Sequence, residues 1–198
     1  MKQHILLIIC IIFSLNKTYT QEFNGGLIAG LSTSQVSGDM LGGFNKLGFL
    51  IGGFTKRKIN NKLNLQFEIT YIQKGSRNPN INKDNIQEIS LSYIEIPFGI
   101  ILKQKNNIDI ETGILSGVII SSKINDYYGL RDIETDFKKY DFGIFAGVNY
   151  YLKDNIILNT RISNSILPIR PHISNATWGL NKGQYNTVLS ISIYYNIT

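Results

Sequence analysis

Six ionisable residues stand where a chain of strands would turn them to a common side: Glu68, Glu95, Asp109, Glu111, Asp141 and Arg161. Several lie directly between apolar neighbours, as in Ile94-Glu95-Ile96, Ile108-Asp109-Ile110 and Tyr140-Asp141-Phe142. Two chemistries fit such a row. One is a small polar site or a proton-linked path. The other is a hydrated salt-bridge plug with Arg161 as its hub. A buried charge needs a partner, and a narrow enclosure needs polar filling. The plug is therefore the reading adopted, with Arg161 expected to pair with Glu68, Glu95 or Glu111.

Other chemistry-bearing groups are sparse. His172 sits between Pro171 and Ile173, with Ser163, Ser165 and Ser174 close in sequence. A hydrolase would need a nucleophile, a base and an acid in register. No Gly-x-Ser-x-Gly elbow accompanies them, so His172 reads as a solvated loop residue. Asp126, Asp132, Glu134 and Asp136 are a thin calcium set and read as solvated charge. Lys56-Arg57-Lys58 reads as an interfacial anchor at a turn, and Pro168 to Trp178 as an exposed contact tip. No residue is assigned a catalytic, cofactor-binding or metal-ligating role, and no cofactor is expected.

The elements that must position the ionic row are strands. In Leu63 to Tyr71, apolar Leu63, Leu65, Phe67, Ile69 and Tyr71 alternate with Asn64, Gln66, Glu68 and Thr70. Side chains alternate across a strand, so one face is oily and the other polar. The preceding strand starts at Lys46, and Asn60-Asn61 joins the two, since Asn tolerates positive φ. The pattern recurs from Asn24 to Gln35, Glu88 to Gln104, Ile108 to Ser122, Tyr140 to Leu152, Ile156 to Leu167 and Gln184 to Asn196. In the fourth strand it changes phase near Tyr93, and Pro97, which cannot donate to a ladder, predicts a bulge or a locally open edge.

Eight strands result, and their connections alternate long and short. The short ones are Asn60-Asn61, Lys105 to Asn107 and Lys153 to Asn155; the long ones include 76–87 and 123–139. A soluble sandwich has no reason to sort its loops so. A transmembrane barrel does, with short turns in the periplasm and long loops outside. Aromatic residues fall at strand ends in two groups, expected as interfacial belts. The inner group is Phe54, Tyr150, Tyr151, Tyr194 and Tyr195; the outer is Tyr71, Tyr93, Tyr140 and Tyr185. Backbone amides in lipid must pair within the protein, so the sheet must close. The fold class expected is all-β, an eight-stranded antiparallel up-and-down transmembrane β-barrel. Its interior holds only side chains or one small ligand, which argues against a porin-type channel.

Residues 1–20 carry Lys2, an apolar run from Ile5 to Leu15 and Thr18-Tyr19-Thr20, a secretory signal peptide in outline. Cleavage after Thr20 would leave residues 21–198 as the expected outer-membrane β-barrel domain. The apolar run is too short for a spanning helix. Cys10, the one cysteine of 198 residues, leaves with the leader, so export is not matched by a disulfide. The charge of +6 falls to +4 without Lys2 and Lys17. The remaining basic residues are scattered, which gives no nucleic-acid patch. Eleven Tyr and ten Phe favour strands.

The chain resembles the small outer-membrane β-barrel proteins of Bacteroidetes, labelled PorT-like or porin family. The resemblance is carried by Gly25-Gly-Leu-Ile-Ala-Gly30, Phe67-Glu-Ile-Thr-Tyr-Ile-Gln-Lys-Gly75, Tyr93-Ile-Glu-Ile-Pro-Phe98 and Gly143-Ile-Phe-Ala-Gly147. It implies an outer-membrane location and a structural or interaction role in the envelope, with a link to protein secretion or envelope assembly. Expected partners are outer-membrane lipids and envelope or secretion proteins met through the loops, around a monomeric barrel. Two alternatives stay open. One is a membrane-embedded lipid-modifying enzyme of the same barrel size. The other is a soluble lipocalin-like carrier, whose apolar rows would point inward.

Overall fold

The computed structural model describes residues 23–39, 41–79, 88–104, 107–126, 129–132, 137–172 and 183–197. The expected leader lies outside the described residues. Nine strands form: β1 Phe23–Ser37, β2 Lys46–Lys58, β3 Leu63–Arg77, β4 Glu88–Lys103, β5 Ile108–Asp126, β6 Gly129–Asp132, β7 Tyr140–Lys153, β8 Ile156–Ser165 and β9 Tyr185–Asn196. All but β6 join one antiparallel sheet that closes on itself, β9 returning to pair with β1 and β4 pairing with β5. This is the closed eight-stranded barrel. β6 pairs with the far end of β5, from Lys123↔Asp132 to Asp126↔Gly129. The stretch 123–139, expected as a loop, thus begins as a hairpin standing above the barrel.

The oily rows face outward. Leu31, Ile51, Ile69, Ile114, Ile144, Ile191 and their neighbours are exposed, while Gln66, Glu68, Glu111, Asn149 and Asn159 are buried. A soluble lipocalin has the opposite polarity, so that alternative is set aside. Nothing in the hydrocarbon can hydrogen-bond a strand edge, at several kcal/mol for each unpaired group, and closure removes the edge.

Of three local features, two depart from expectation and the open ladder beside Pro97 meets it. The β2–β3 turn spans Ile59 to Lys62. Asn60 Oδ1 accepts the Lys62 N–H at 2.8 Å, and the Ile59 N–H donates to Leu63 O at 3.0 Å. An Asx turn does the work expected of positive φ; among the described non-glycine residues only Asn107, in the next short turn, has positive φ (58°). Pro97 keeps its place opposite Leu115 of β5. On its other side the β3–β4 ladder skips from Phe67↔Phe98 to Thr70↔Glu95 without changing register, an open stretch rather than a bulge.

The third is the phase change read at Tyr93. β4 does not switch sides: Ile89, Leu91, Tyr93 and Glu95 all point inward. The irregularity is in its partner, where Ser92 pairs with Ser121 but Tyr93 pairs with Ile119, leaving Ile120 as the extra residue. The bulge reverses the facing of β5 beyond it. Ile120 is exposed, and Ser122 and Ile124 are buried.

What changes along β4 is the surroundings. Toward the long-loop end the inward residues turn apolar and the outward ones polar, as in Ile89 and Leu91 against Ser90 and Ser92. That is the burial rule of a protein in water, so these strand ends stand clear of the hydrocarbon. Leu41, Phe137 and Ile169 come from connecting segments and pack with Val36, Ile89, Leu91 and Ile124 into a buried apolar layer. Ile169 is tied there by the Lys138 N–H to its carbonyl at 2.8 Å and by its own N–H to Gln184 O at 2.8 Å. The layer caps the outer mouth.

Candidate functional site

The lumen is a charge network in two parts. Arg161 of β8 is the hub of the first. Its Nη1 and Nη2 donate to Glu68 Oε2 and Oε1 of β3 at 3.0 and 2.7 Å, a two-point grip. Its Nε donates to Glu111 Oε1 of β5 at 2.7 Å. Asn149 and Asn159 also donate to Glu111, at 3.1 and 2.9 Å. Tyr194 Oη accepts from Arg161 at 3.0 Å and donates to Glu68 at 3.2 Å. The guanidinium lies 4.2 Å from the ring centre of Phe145. That ring has room because of two glycines: a Cβ on Gly99 or Gly113 would come within 2.9 and 2.8 Å of it.

Lys74 of β3 is the second hub. Its ammonium pairs with Glu95 of β4 and with Asp141 of β7, the latter at 3.3 Å. It sits 4.7 Å from the ring centre of Tyr93, and Asn186 donates to Asp141 at 2.9 Å. Between the two parts lies a void of about 20 Å³, bordered by Glu68, Glu95, Arg161 and Ser190. That is room for about one water.

All six residues of the sequence-derived row therefore meet inside. Arg161 takes Glu68 and Glu111; Glu95 belongs to Lys74 instead. Lys74 and Lys56 were missed as inward cations, which leaves five buried carboxylates facing three cations. The signal is in the sequence: Lys74 shares the parity of Glu68, but apolar Ile72 between them interrupts the polar row. Lys56, expected as an interfacial anchor, is buried. The belts need the same correction. Phe54, Tyr93 and Tyr194 are buried in the lumen, and Tyr151 Oη donates to Asp109 Oδ2 at 2.7 Å. Tyr140, Tyr150 and Tyr195 face outward.

The remaining candidates are not drawn together. Ser165 Oγ accepts the Asn186 N–H at 3.2 Å inside the barrel, and Ser163 borders the central void. His172 lies against Gly38 at the outer end of β1. Of the thin calcium set, Asp126 pairs with Arg131, and Asp132 with Lys123 at 3.8 Å. Ser174, Glu134, Asp136 and most of the Pro168 to Trp178 tip fall outside the described residues.

A lumen filled this way, with oily rows outside, is the build of a small membrane barrel. The family model described as the outer membrane protein beta-barrel domain matches residues 13–169. The chain belongs to that family. The barrel is similar to Neisserial surface protein A, with 13% identity and a TM-score of 0.60 over 90% of this chain and 100% of that one. It is also similar to Ail, the attachment invasion locus protein of Yersinia pestis, at 13% identity and a TM-score of 0.55, covering 89% and 99% of the two chains. At that identity the likeness is one of fold. Comparison with curated proteins returns no match. As an outer membrane barrel, the protein resides in the outer membrane, with its short turns on the periplasmic side.

Proposed function

We propose that this barrel is a non-enzymatic, non-conducting envelope protein whose work is done at its two ends. The observation that carries the reading is the interlocked lumen. Arg161 and Lys74 reach across to strands on other walls, and the void between their clusters holds about one water. A solute path through the middle would require both ion clusters to break, at roughly 3–5 kcal/mol for each buried pair. What remains for function is the outer loop crown and the periplasmic turns. The resemblance to PorT-like proteins of Bacteroidetes supports a contact role in protein secretion or envelope assembly, with a monomeric barrel held in outer-membrane lipid.

Planar-bilayer recording tests the closed lumen. The purified protein is expected to give no stable conductance steps, and Arg161→Ser combined with Lys74→Ser is expected to give them. Steady channels from the unaltered protein would sink the reading. Crosslinking from the loop crown in intact cells then tests the contact role, which predicts a discrete protein adduct.

A further inference from the structure

The periplasmic mouth holds a cavity of about 200 Å³, ten times the central void, with Lys56, Lys58, Asn64, Lys103, Tyr151 and Asp154 among the residues around it. The register explains the grouping. Lys58 pairs with Asn64 across β2–β3, Asn64 pairs with Ile101 across β3–β4, and Lys103 follows two residues on. Two strands, β2 and β4, therefore bring Lys58 and Lys103 to one level on either side of Asn64 of β3, and Lys56 lies a step deeper with 8% of its surface exposed.

Lys56 is the informative residue. Among the described residues its ammonium has no carboxylate within 4.0 Å and no hydrogen bond. It lies 5.8 Å from the ring centres of both Phe54 and Tyr151, the outer reach of a cation–π contact. Three carboxylates act on it through space, Asp109 ahead of Glu111 and Glu68, and all are engaged elsewhere: Asp109 Oδ1 by the Gln104 N–H at 3.2 Å and Oδ2 by Tyr151, Glu111 and Glu68 by Arg161. Asn64, 4% exposed, borders the same cavity, and its amide oxygen has no partner. A nearly buried lysine whose ammonium opens on the cavity, and a buried amide oxygen with no donor, face the same space. Burying such groups unpaired is costly, so the arrangement fits a bound partner.

We infer that this mouth is an oxyanion site that takes a phosphoryl group. Lys56 forms the floor and Lys58 and Lys103 the rim, all three donating, while the orphan Asn64 Oδ1 accepts from a hydroxyl of the bound group. Three lysines converging from two strands suit an anion with oxygens on all sides; a flat carboxylate is better matched by an arginine fork, which the residues around the cavity lack. Three lysines against Asp154 in the wall leave a net positive mouth. Phosphoryl groups reach the periplasmic face either as inner-leaflet phospholipid headgroups or as free phosphate.

The test is calorimetric titration with inorganic phosphate at low salt, on the refolded protein in an uncharged maltoside detergent. Saturable binding is expected, weakened at least about tenfold by Lys56→Met and kept by Lys56→Arg. Lys58→Met with Lys103→Met provides a second weakened variant if Lys56→Met fails the heat-modifiability check of folding. Lys46→Met, at the outer end beside Glu88, is expected to bind as the unaltered protein does. Repeating the titration in nanodiscs separates the sources. A headgroup occupant abolishes phosphate binding in phosphatidylglycerol discs and leaves it in phosphate-free glycolipid discs; a soluble occupant leaves it in both. No saturable binding in detergent, or binding that neither weakened variant alters, overturns the inference.

Discussion

Arg161 anchors three strands with one side chain, and its worth is best judged by what its loss would leave behind. Removing it strands Glu68 and Glu111, both nearly fully buried, without their cation. Breaking a buried pair by deleting one partner costs roughly 3–5 kcal/mol, whereas exchanging the whole set for apolar residues can cost little. Arg161→Met is therefore expected to lower unfolding stability in lipid vesicles by about that amount. Removing the stranded charges with Glu68→Gln and Glu111→Gln in the Arg161→Met background is expected to recover much of it. Additive losses across the three changes would refute the network. The sequence carried this hub because an arginine at inward parity opposite several acids has few other solutions. It did not carry the division of labour with Lys74. Which carboxylate meets which cation depends on stagger around the barrel, and parity along one strand is blind to stagger.

Among elements, the strand spans were legible because a two-residue period is dictated by the lipid outside. Where lipid stops, the period loses its meaning. The apparent switch at Tyr93 marks the level at which β4 leaves the membrane, and the true change of facing is the Ile120 bulge on β5. The same boundary explains why 123–139 looked like a loop: the β5–β6 hairpin there no longer alternates oily and polar residues. The segment after β1 belongs to this water-facing zone. Asp39 is buried, and its Oδ1 accepts the Leu41 N–H at 2.8 Å. Burial raises its carboxyl above the ordinary 3.8, against the opposing pull of Ser76, the Leu41 N–H and Arg170. A raised value means the folded state prefers the proton. Its contribution is present below the unfolded value and is lost as pH climbs through the folded one. Protection of the Leu41 and Lys138 amides, corrected for intrinsic exchange, is expected to fall as pH rises from 3.8 toward neutral. Asp39→Asn is expected to flatten that dependence and raise protection at neutral pH. An unchanged profile in Asp39→Asn would assign the pH effect elsewhere.

The whole molecule was the most legible level, since loop alternation, strand number and outward oiliness agree, and family membership gives the same answer. One oily-face substitution checks it. Ile114, 61% exposed near mid-strand, sits where an arginine would meet the bilayer centre. Ile114→Arg is expected to cost about 2–4 kcal/mol in vesicle refolding, against about 0–1 kcal/mol for Ser121→Arg near the outer interface. Equal costs at the two sites would contradict the embedding. The apolar cap of Leu41, Phe137 and Ile169 at one end, with an open lysine-ringed vestibule at the other, has a consequence for the cell. Among the described residues the interior is a blind alley entered from within. Small solutes meet the lysine ring from the periplasm, so a sudden change in the outside medium reaches it only after the compartment beneath has changed.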